Sequence, residues 1–283
     1  MTASTLHIKS VTPVYPRGNY IEWKIQDADS MPAMPWEFVI ERSESPHGPW
    51  TVVSNPYVVN NLHFFDCIPT HHLHRWWYYR IALSVAGCCQ FISKAESYLT
   101  PEDHLDNRLK GEVNKMRYDL SILLQRDSGV PVQVFKRRNI GESCPDCTSS
   151  VMDIVVHSHC YTCAGTKFIG GYYDPIQTLA KFDAPTIEEA VTVEGEAERA
   201  VHQLLMLDVP LLVADDLIFD VLTGELYEVK AVRQTQRKRV IIHQEPIVAE
   251  LPRSHVAYSL VNNIQTTRTG NETFMFDNTF VRY

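Results

Sequence analysis

The sequence predicts a mainly β, multidomain protein, and three observations carry that expectation. Apolar and polar residues alternate with period two through the first hundred residues and again through the last hundred. One stretch, 101–126, switches to the three- and four-residue spacing of a helix. Between these regions stand two Cys-x-x-C pairs, Cys144/Cys147 and Cys160/Cys163, with twelve residues between them. The chain divides accordingly into a β-sandwich (1–100), an amphipathic linker helix with a connecting strand (101–140), a cysteine-knuckle segment (141–175), a small β-barrel or sandwich (176–263) and a C-terminal arm (264–283).

In the first segment Ile21, Trp23 and Ile25 alternate with Glu22 and Lys24, and Trp36, Phe38 and Ile40 alternate with Glu37, Val39 and Glu41. Trp77, Tyr79, Ile81 and Leu83 repeat the pattern. Such runs, bounded by Pro, Gly, Asn and Ser, mark half-buried strands because successive side chains leave opposite faces of a sheet. Ser43 to Trp50, with Pro46, Gly48 and Pro49, reads as a turn.

The helical stretch places Leu105, Leu109, Val113, Met116, Leu120, Leu123 and Leu124 on one stripe. Thr100 suits the N-cap, Pro101 the first helical position and Asp103 an approximate capping box, while Gly129 and Pro131 stop the helix. The stripe has two readings. It packs between domains, or its Leu105, Leu109, Val113, Met116 and Leu120 face docks on a partner subunit. Val130 to Phe135 then reads as a strand ending in the basic run Lys136-Arg137-Arg138.

The four cysteines are the strongest single signal. Two tight turns, each offering two sulfurs, supply the tetrahedral thiolate set that Zn2+ prefers, and four sulfurs leave no open coordination position. The expected cofactor is therefore a structural zinc held by Cys144, Cys147, Cys160 and Cys163, folding a segment too small to own a core. His157 and His159 are not needed for that set. Redox chemistry wants one such pair at a helix start in a βαβ context, which is missing from the pattern.

In the last hundred residues Leu217-Ile218-Phe219 is a short apolar strand, Thr223-Gly224-Glu225 a hairpin turn, and Tyr227, Val229 and Ala231 alternate with Glu228 and Lys230. Val240 to Ile242 and Ile247-Val248 return, as in a small barrel or sandwich. Residues 186–207 mix a helix-cap pattern at Thr186 with β-prone Val191-Thr192-Val193, and read as strand.

Composition narrows the function classes. At 283 residues the chain has room for two or three domains of about 100–150 residues. An apolar fraction of 45% supplies ample material for their cores. The net charge of −8 speaks against a DNA-coating protein, which would be basic overall, without excluding a local basic patch. No apolar run approaches the ~18 residues of a membrane-spanning helix, and the N-terminus lacks the pattern of a signal peptide. Of the seven cysteines, Cys67, Cys88 and Cys89 lie outside the quartet and read as small buried hydrophobes.

Three further clusters invite chemistry. Lys230, Arg233, Arg237, Lys238 and Arg239 fall at a hairpin tip or its flanks, either a solvated loop or a contact for phosphate or an acidic surface. Asp216 with Glu228-Val229-Lys230 imitates the carboxylates and lysine of a metal-dependent nuclease, yet any solvent-facing strand alternates in this way. His71, His72 and His74 beside Trp76 and Trp77 have no acidic or cysteine partner at a defined spacing and read as a loop. No nucleophilic triad, phosphate-cradling glycine loop or dinucleotide fingerprint is present in the sequence.

Two resemblances add to this reading. Ile21-Glu22-Trp23, Phe38-Val39-Ile40-Glu41-Arg42-Ser43, Gly48-Pro49-Trp50 and Trp77-Tyr78-Tyr79-Arg80-Ile81 resemble an immunoglobulin-like fibronectin type III module of about 100 residues. The stretch from Gly141 through both knuckles to Gly170-Gly171-Tyr172-Tyr173-Asp174-Pro175 is similar to a tailed-bacteriophage virion protein of the neck, the head–tail connector, in which a zinc ribbon precedes a small β-domain. Asp208 to Leu212, Asp216 to Ile218, Thr223 to Val229, Gln244, Ile247-Val248 and Pro252-Arg253-Ser254 resemble that domain, so the similarity covers roughly 101–260. It implies a non-enzymatic structural protein of the virion, made in the host cytoplasm and repeated as a ring of its own copies. Portal or adaptor proteins and tail or other neck proteins would be its neighbours, packaged DNA would face the basic loop, and no membrane would be involved. The competing classes are a zinc-ribbon nucleic-acid-binding protein or nuclease, and a host-surface adhesin acting through exposed aromatics of the first domain.

Overall fold

The computed structural model describes residues 5–14, 18–26, 35–54, 58–67, 77–85, 88–97, 107–147, 160–184, 186–192, 195–259 and 273–274. The chain is mostly β. In the first region β1 (Thr5–Val14), β2 (Gly18–Gln26) and β6 (His63–Cys67) form one antiparallel sheet in the order β1-β2-β6. A second sheet runs β4-β3-β7-β8, from β3 (Glu37–Ser43), β4 (Thr51–Val52), β7 (Tyr78–Val85) and β8 (Cys88–Ile92), with β5 (Val58–Val59) also on β3. Leu6, Ile8, Val11, Ile21, Trp23 and Ile25 from the first sheet meet Phe38, Ile40, Tyr79, Ile81 and Leu83 from the second in one buried cluster. The period-two alternation of the sequence is this shared inner face. Trp23 meets Phe38 edge to face at 5.3 Å, an arrangement that suits the positive ring edge against the negative ring face.

A polar network crosses this core. Asp66 accepts from Tyr79 Oη at 2.8 Å and from Arg42 at 2.6 Å, while Asn19 Nδ2 donates to Tyr79 Oη at 2.9 Å. The sequence reading missed it because Asn19, Arg42, Asp66 and Tyr79 are scattered over four strands. Trp23, Trp36 and Trp77 are buried core residues, as their places in the alternation predict. One expectation is corrected. Cys67 is exposed, since it ends β6 one residue past the buried Asp66. The side chains of Cys88 and Cys89, and the cluster of His71, His72, His74 and Trp76, lie outside the described residues.

The second region is a closed six-stranded antiparallel barrel. Its staves are β9 (Val130–Phe135), β10 (Ile176–Phe182), β12 (Gly195–Leu207), β13 (Leu217–Asp220), β14 (Leu226–Arg237) and β15 (Val240–Glu250). Around the barrel the order is β12-β15-β14-β13-β9-β10, and β10 returns to β12 through Ala180↔Met206, Lys181↔Leu205 and Phe182↔Leu204. β11 (Thr186–Thr192) extends β12 as a hairpin, and β16 (Thr273–Phe274) pairs with β10 in parallel. Val132, Val134, Ile176, Leu204, Met206, Ile218, Val229 and Val248 fill the interior. The strand predicted at 130–135 is thus a stave of the barrel rather than part of a linker, and β10, which the sequence reading did not assign, closes the barrel.

The helix α1 spans Asn107–Leu123 and passes into one π-helical turn, Leu124–Ser128. Gly129 stops it, donating its N–H to the Leu124 carbonyl at 3.0 Å, and a Cβ there would lie 2.3 Å from that oxygen. The predicted cap at Thr100, Pro101 and Asp103, and Leu105 of the stripe, lie outside the described residues. Of the rest of the stripe, Val113 is buried against Val240 with Leu109 beside it, Leu120 packs on the barrel core and Leu124 is inside it. Met116 and Leu123 are exposed. The Leu109, Val113 and Leu120 face therefore covers the chain's own barrel rather than a partner, because closing the barrel leaves apolar side chains at its end that need a lid.

The two regions share a buried seam. Tyr20 and Phe65, paired across β2 and β6, turn away from the sandwich core and join the barrel's core cluster. Beside them His63 is 2% exposed and stacks on Tyr20 at 6.1 Å. Burial first, and the Lys136 charge second, push its pKa from 6.5 down to about 3. The sign follows: between those values the unfolded chain binds the proton and the folded chain does not. Stability is therefore fully present above about pH 6.5 and falls as the pH drops toward 3. Replacing His63 with Gln should flatten this acid limb in urea melts run from pH 7 to 4, by up to ~1.4 kcal/mol per pH unit.

Candidate metal centre

The four cysteines come together as the sequence predicts. Their sulfurs lie within 4.8 Å of one another, with Cys144 to Cys160 at 3.7 Å and Cys147 to Cys163 at 3.0 Å. A tetrahedron of sulfurs about 2.3 Å from one ion has edges of about 3.8 Å, so the cage is close to the size zinc requires. Local backbone explains how short turns achieve this. Cys144 N–H donates to Lys167 O at 2.8 Å, Ala164 N–H to Cys160 O at 2.7 Å and Thr166 N–H to Cys163 O at 3.0 Å. Ala164, Gly165 and Lys167 take positive φ of 47°, 76° and 81°, which turns the second knuckle back on itself. Thr162 Oγ1 donates to Asp146 at 3.0 Å and ties one knuckle to the other. The arm 148–159, with His157 and His159, lies outside the described residues.

The chemistry of the donor set fits a dication. Burial pushes the Cys144 and Cys147 thiols up, and neighbouring sulfurs add to this at Cys147. At Cys160 burial also raises the value, but N–H groups of Thr162 and Cys163 and two neighbouring thiols outweigh it and bring it to about 7. Four buried thiolates repel one another unless a cation sits among them. The cluster is compatible with a structural zinc site, in which these four sulfurs would hold the ion with no position left for a substrate.

The cysteine segment is fixed to the barrel by the basic run that precedes it. Lys136 forms an ion pair with Asp216, which is fully buried, and donates to Leu211 O at 2.6 Å. Asp216 also accepts from the N–H of Arg137 at 2.9 Å and of Val213 at 2.8 Å. Burial pushes its carboxyl up, against the pull of Lys136 and those two N–H groups. Arg137 pairs with Asp215. Arg138 donates through Nε to Tyr172 O at 2.9 Å and lies over the Tyr173 ring at 4.8 Å. Gly170 and Gly171, at φ 80° and 65°, make the turn that returns Tyr172 and Tyr173 to these partners. The run Lys136-Arg137-Arg138 is thus an internal joint. A cleft of about 620 Å³ opens where sandwich, cysteine segment and barrel meet, and three of the cations that line it are ion-paired, Lys9 to Glu22, Lys136 to Asp216 and Arg137 to Asp215.

The remaining predicted site residues are placed apart. Asp216 is spent on the joint, and Glu228 accepts from Lys230 at 2.6 Å on the outside of β14. Among the described residues the four cysteines form the one cluster able to hold a metal. The five basic residues are strung along one projecting hairpin, β14–β15 and its tip, rather than gathered at a single point. Lys230 and Arg233 stand along the exposed half of β14, and Arg237 pairs with Glu112 of α1 at 2.9 Å. Lys238 and Arg239 form the tip, with φ of 48° and 69°, values that match the twist of a two-residue hairpin turn.

Two substitutions test the centre. Cys147→Ser should remove the bound zinc, counted as metal per chain, and with it the near-ultraviolet signal of the Tyr172–Tyr173 joint. Asp216→Asn should retain the zinc yet destabilise the chain by about 3 kcal/mol in denaturant melts, because it leaves Lys136 with a half-buried, unpaired charge. Comparison of the chain with protein-family models and with curated protein sequences finds no match, so its function rests on this geometry and on the residues that build it.

Proposed function

We propose that the chain is a structural virion protein of the tailed-bacteriophage neck, assembling as a ring that joins portal and head to tail. In this reading the cysteine segment is a zinc ribbon that orients two halves of an assembly subunit. The first region is a fibronectin type III-like module, consistent with its β1-β2-β6 and β4-β3-β7-β8 strand orders, and projects as a brace.

The observation that carries the proposal is how the residues of the resemblance are used. Gln244 is fully buried, donates to Leu207 O at 3.0 Å and Pro210 O at 2.9 Å, and accepts from Leu212 N–H at 2.9 Å. It clamps the loop that follows β12. Asp216, Tyr172 and Tyr173 clamp the cysteine segment to the same end of the barrel. These groups are saturated by the chain itself, which suits a rigid building block and leaves none of them for turnover.

Purified particles supply the test. The protein should be present at a copy number that fits a symmetric ring, with density for barrel and zinc at the head–tail junction. Particles that lack the chain would overturn the reading. So would magnesium-dependent DNA cleavage by the purified chain that disappears in Glu228→Ala, since that is the behaviour of the nuclease alternative.

A further inference from the structure

We propose that copies of this chain join head to tail through two oppositely charged β-hairpins, the acidic β11–β12 hairpin of one copy adding its outer edge to the basic β14–β15 hairpin of the next. The proposal deepens the assembly reading above and rests on it for its biological setting.

The register places the hairpins at opposite ends of the barrel. β12 pairs with β15 from Val201↔Ala249 to Leu207↔His243. Beyond Val201, β12 continues back to Gly195 with β11 as its companion. Beyond His243, β15 continues back to Val240 with β14, ending in the Lys238-Arg239 turn. Each projection is longer than the barrel needs.

Both projections leave a backbone edge open. Among the described residues β11 pairs with β12 alone. β14 pairs with β13 through Leu226, Tyr227 and Glu228, so among the described residues its side from Lys230 onward has no neighbouring strand. Between bulges at Val229/Ala231 and Thr235/Gln236 that edge is regular over Ala231–Thr235, where Ala231, Arg233 and Thr235 are exposed. An open edge is a row of unmet donors and acceptors, and it either needs a guard or takes a strand.

Charge selects the partner. Residues 186–200 contain five glutamates (Glu188, Glu189, Glu194, Glu196 and Glu198) and one arginine, Arg199. Residues 230–242 contain five basic residues (Lys230, Arg233, Arg237, Lys238 and Arg239) and no acid. Each hairpin repels its own kind and attracts the other, and their places at opposite ends of the barrel suit a head-to-tail, heterologous contact. Direction also agrees. β11 is antiparallel to β12, β12 to β15 and β15 to β14, so β11 and β14 run in opposite senses within one chain. A neighbour related without end-over-end inversion therefore presents β14 antiparallel to β11, the better-bonded arrangement. A repeated contact of this kind closes into a ring or runs on as a helix.

The full chain with zinc bound should form oligomers in analytical ultracentrifugation at about 0.1 M salt and dissociate toward monomer at about 1 M, where screening shortens to ~3 Å. Two charge-reversed variants give the decisive arm. Arg233→Glu with Lys238→Glu and Arg239→Glu makes both hairpins acidic; Glu188→Lys with Glu189→Lys and Glu198→Lys makes both basic. Each alone should be a folded monomer, with association weakened about tenfold or more. Their mixture should assemble, since each then meets an opposite charge on both sides, and this recovery excludes misfolding as the cause. Oligomers that persist in both variants, or a mixture that stays monomeric, overturn the hairpin contact. Intact oligomers combined with lost DNA binding in the arginine variant also overturn it and make the basic hairpin a nucleic-acid contact. Rings insensitive to charge reversal but present in virions would defeat this inference alone, whereas charge-dependent oligomers missing from virions would defeat the neck reading alone.

Discussion

The structure of the second region depends on one closure, the pairing of β10 with β12 through Ala180↔Met206, Lys181↔Leu205 and Phe182↔Leu204. Those pairs turn an open sheet into a barrel and give every stave two neighbours. Closure fixes which side chains face inward, so Val132, Ile176, Leu204, Met206 and Val248 become one core. It also leaves an apolar end that α1 must cover with Val113, Leu120 and Leu124, anchored by Arg117, which pairs with Asp208 at 3.0 Å and donates to Ile241 O. The helix is amphipathic for that reason. Its stripe is an internal lid before it is anything else.

The second constraint is the smallness of the cysteine segment. Among its described residues Tyr161 and Ile169 are exposed. So short a segment offsets little of its conformational entropy by burial, and the joint, together with a metal that the four cysteines are placed to hold, would make up the difference. The joint is polar because it must be specific. A buried carboxylate that accepts from Lys136, Arg137 N–H and Val213 N–H tolerates one arrangement only, while an apolar patch would tolerate several. The sandwich is held to the same place by Tyr20, Phe65 and His63, so three parts of the chain meet around one buried ion pair.

Much of this was legible in the sequence, and the rest failed for identifiable reasons. Period-two alternation located β2, β3 and β7, and the turn residues Thr223-Gly224-Glu225 located the β13–β14 hairpin, because both signals are local. The cysteine spacing pointed to the cysteine cluster for the same reason. β10 escaped because Leu179 and Ala180 are adjacent and both buried, so packing on both faces of the strand erases the alternation. The role of Lys136-Arg137-Arg138 was not legible because its partners Asp215, Asp216 and Tyr172 are distant in sequence. Asp216 with Glu228 and Lys230 could imitate a nuclease because carboxylates and a lysine in sequence carry no sign of whether burial has already paired them.

That last point bears on how a chain of net charge −8 uses its cations. Arg42 is committed to Asp66, Arg80 to Glu41, Arg117 to Asp208, Lys136 to Asp216 and Arg137 to Asp215. Ion pairs that close within the subunit add no field at a distance. The field that remains is set by segments whose charges share one sign, and the β14–β15 projection is such a segment, although Arg237 is tied back to α1 through Glu112 and Lys230 to Glu228. In a strongly acidic chain this positive projection sees an acidic surface whenever two copies approach. Nucleic acid would have to compete with that surface after crossing the repulsion of the whole molecule. The long-range electrostatics therefore favour a neighbouring copy as the first partner of the basic hairpin, and the closed barrel holds the hairpin out where such a neighbour can reach it.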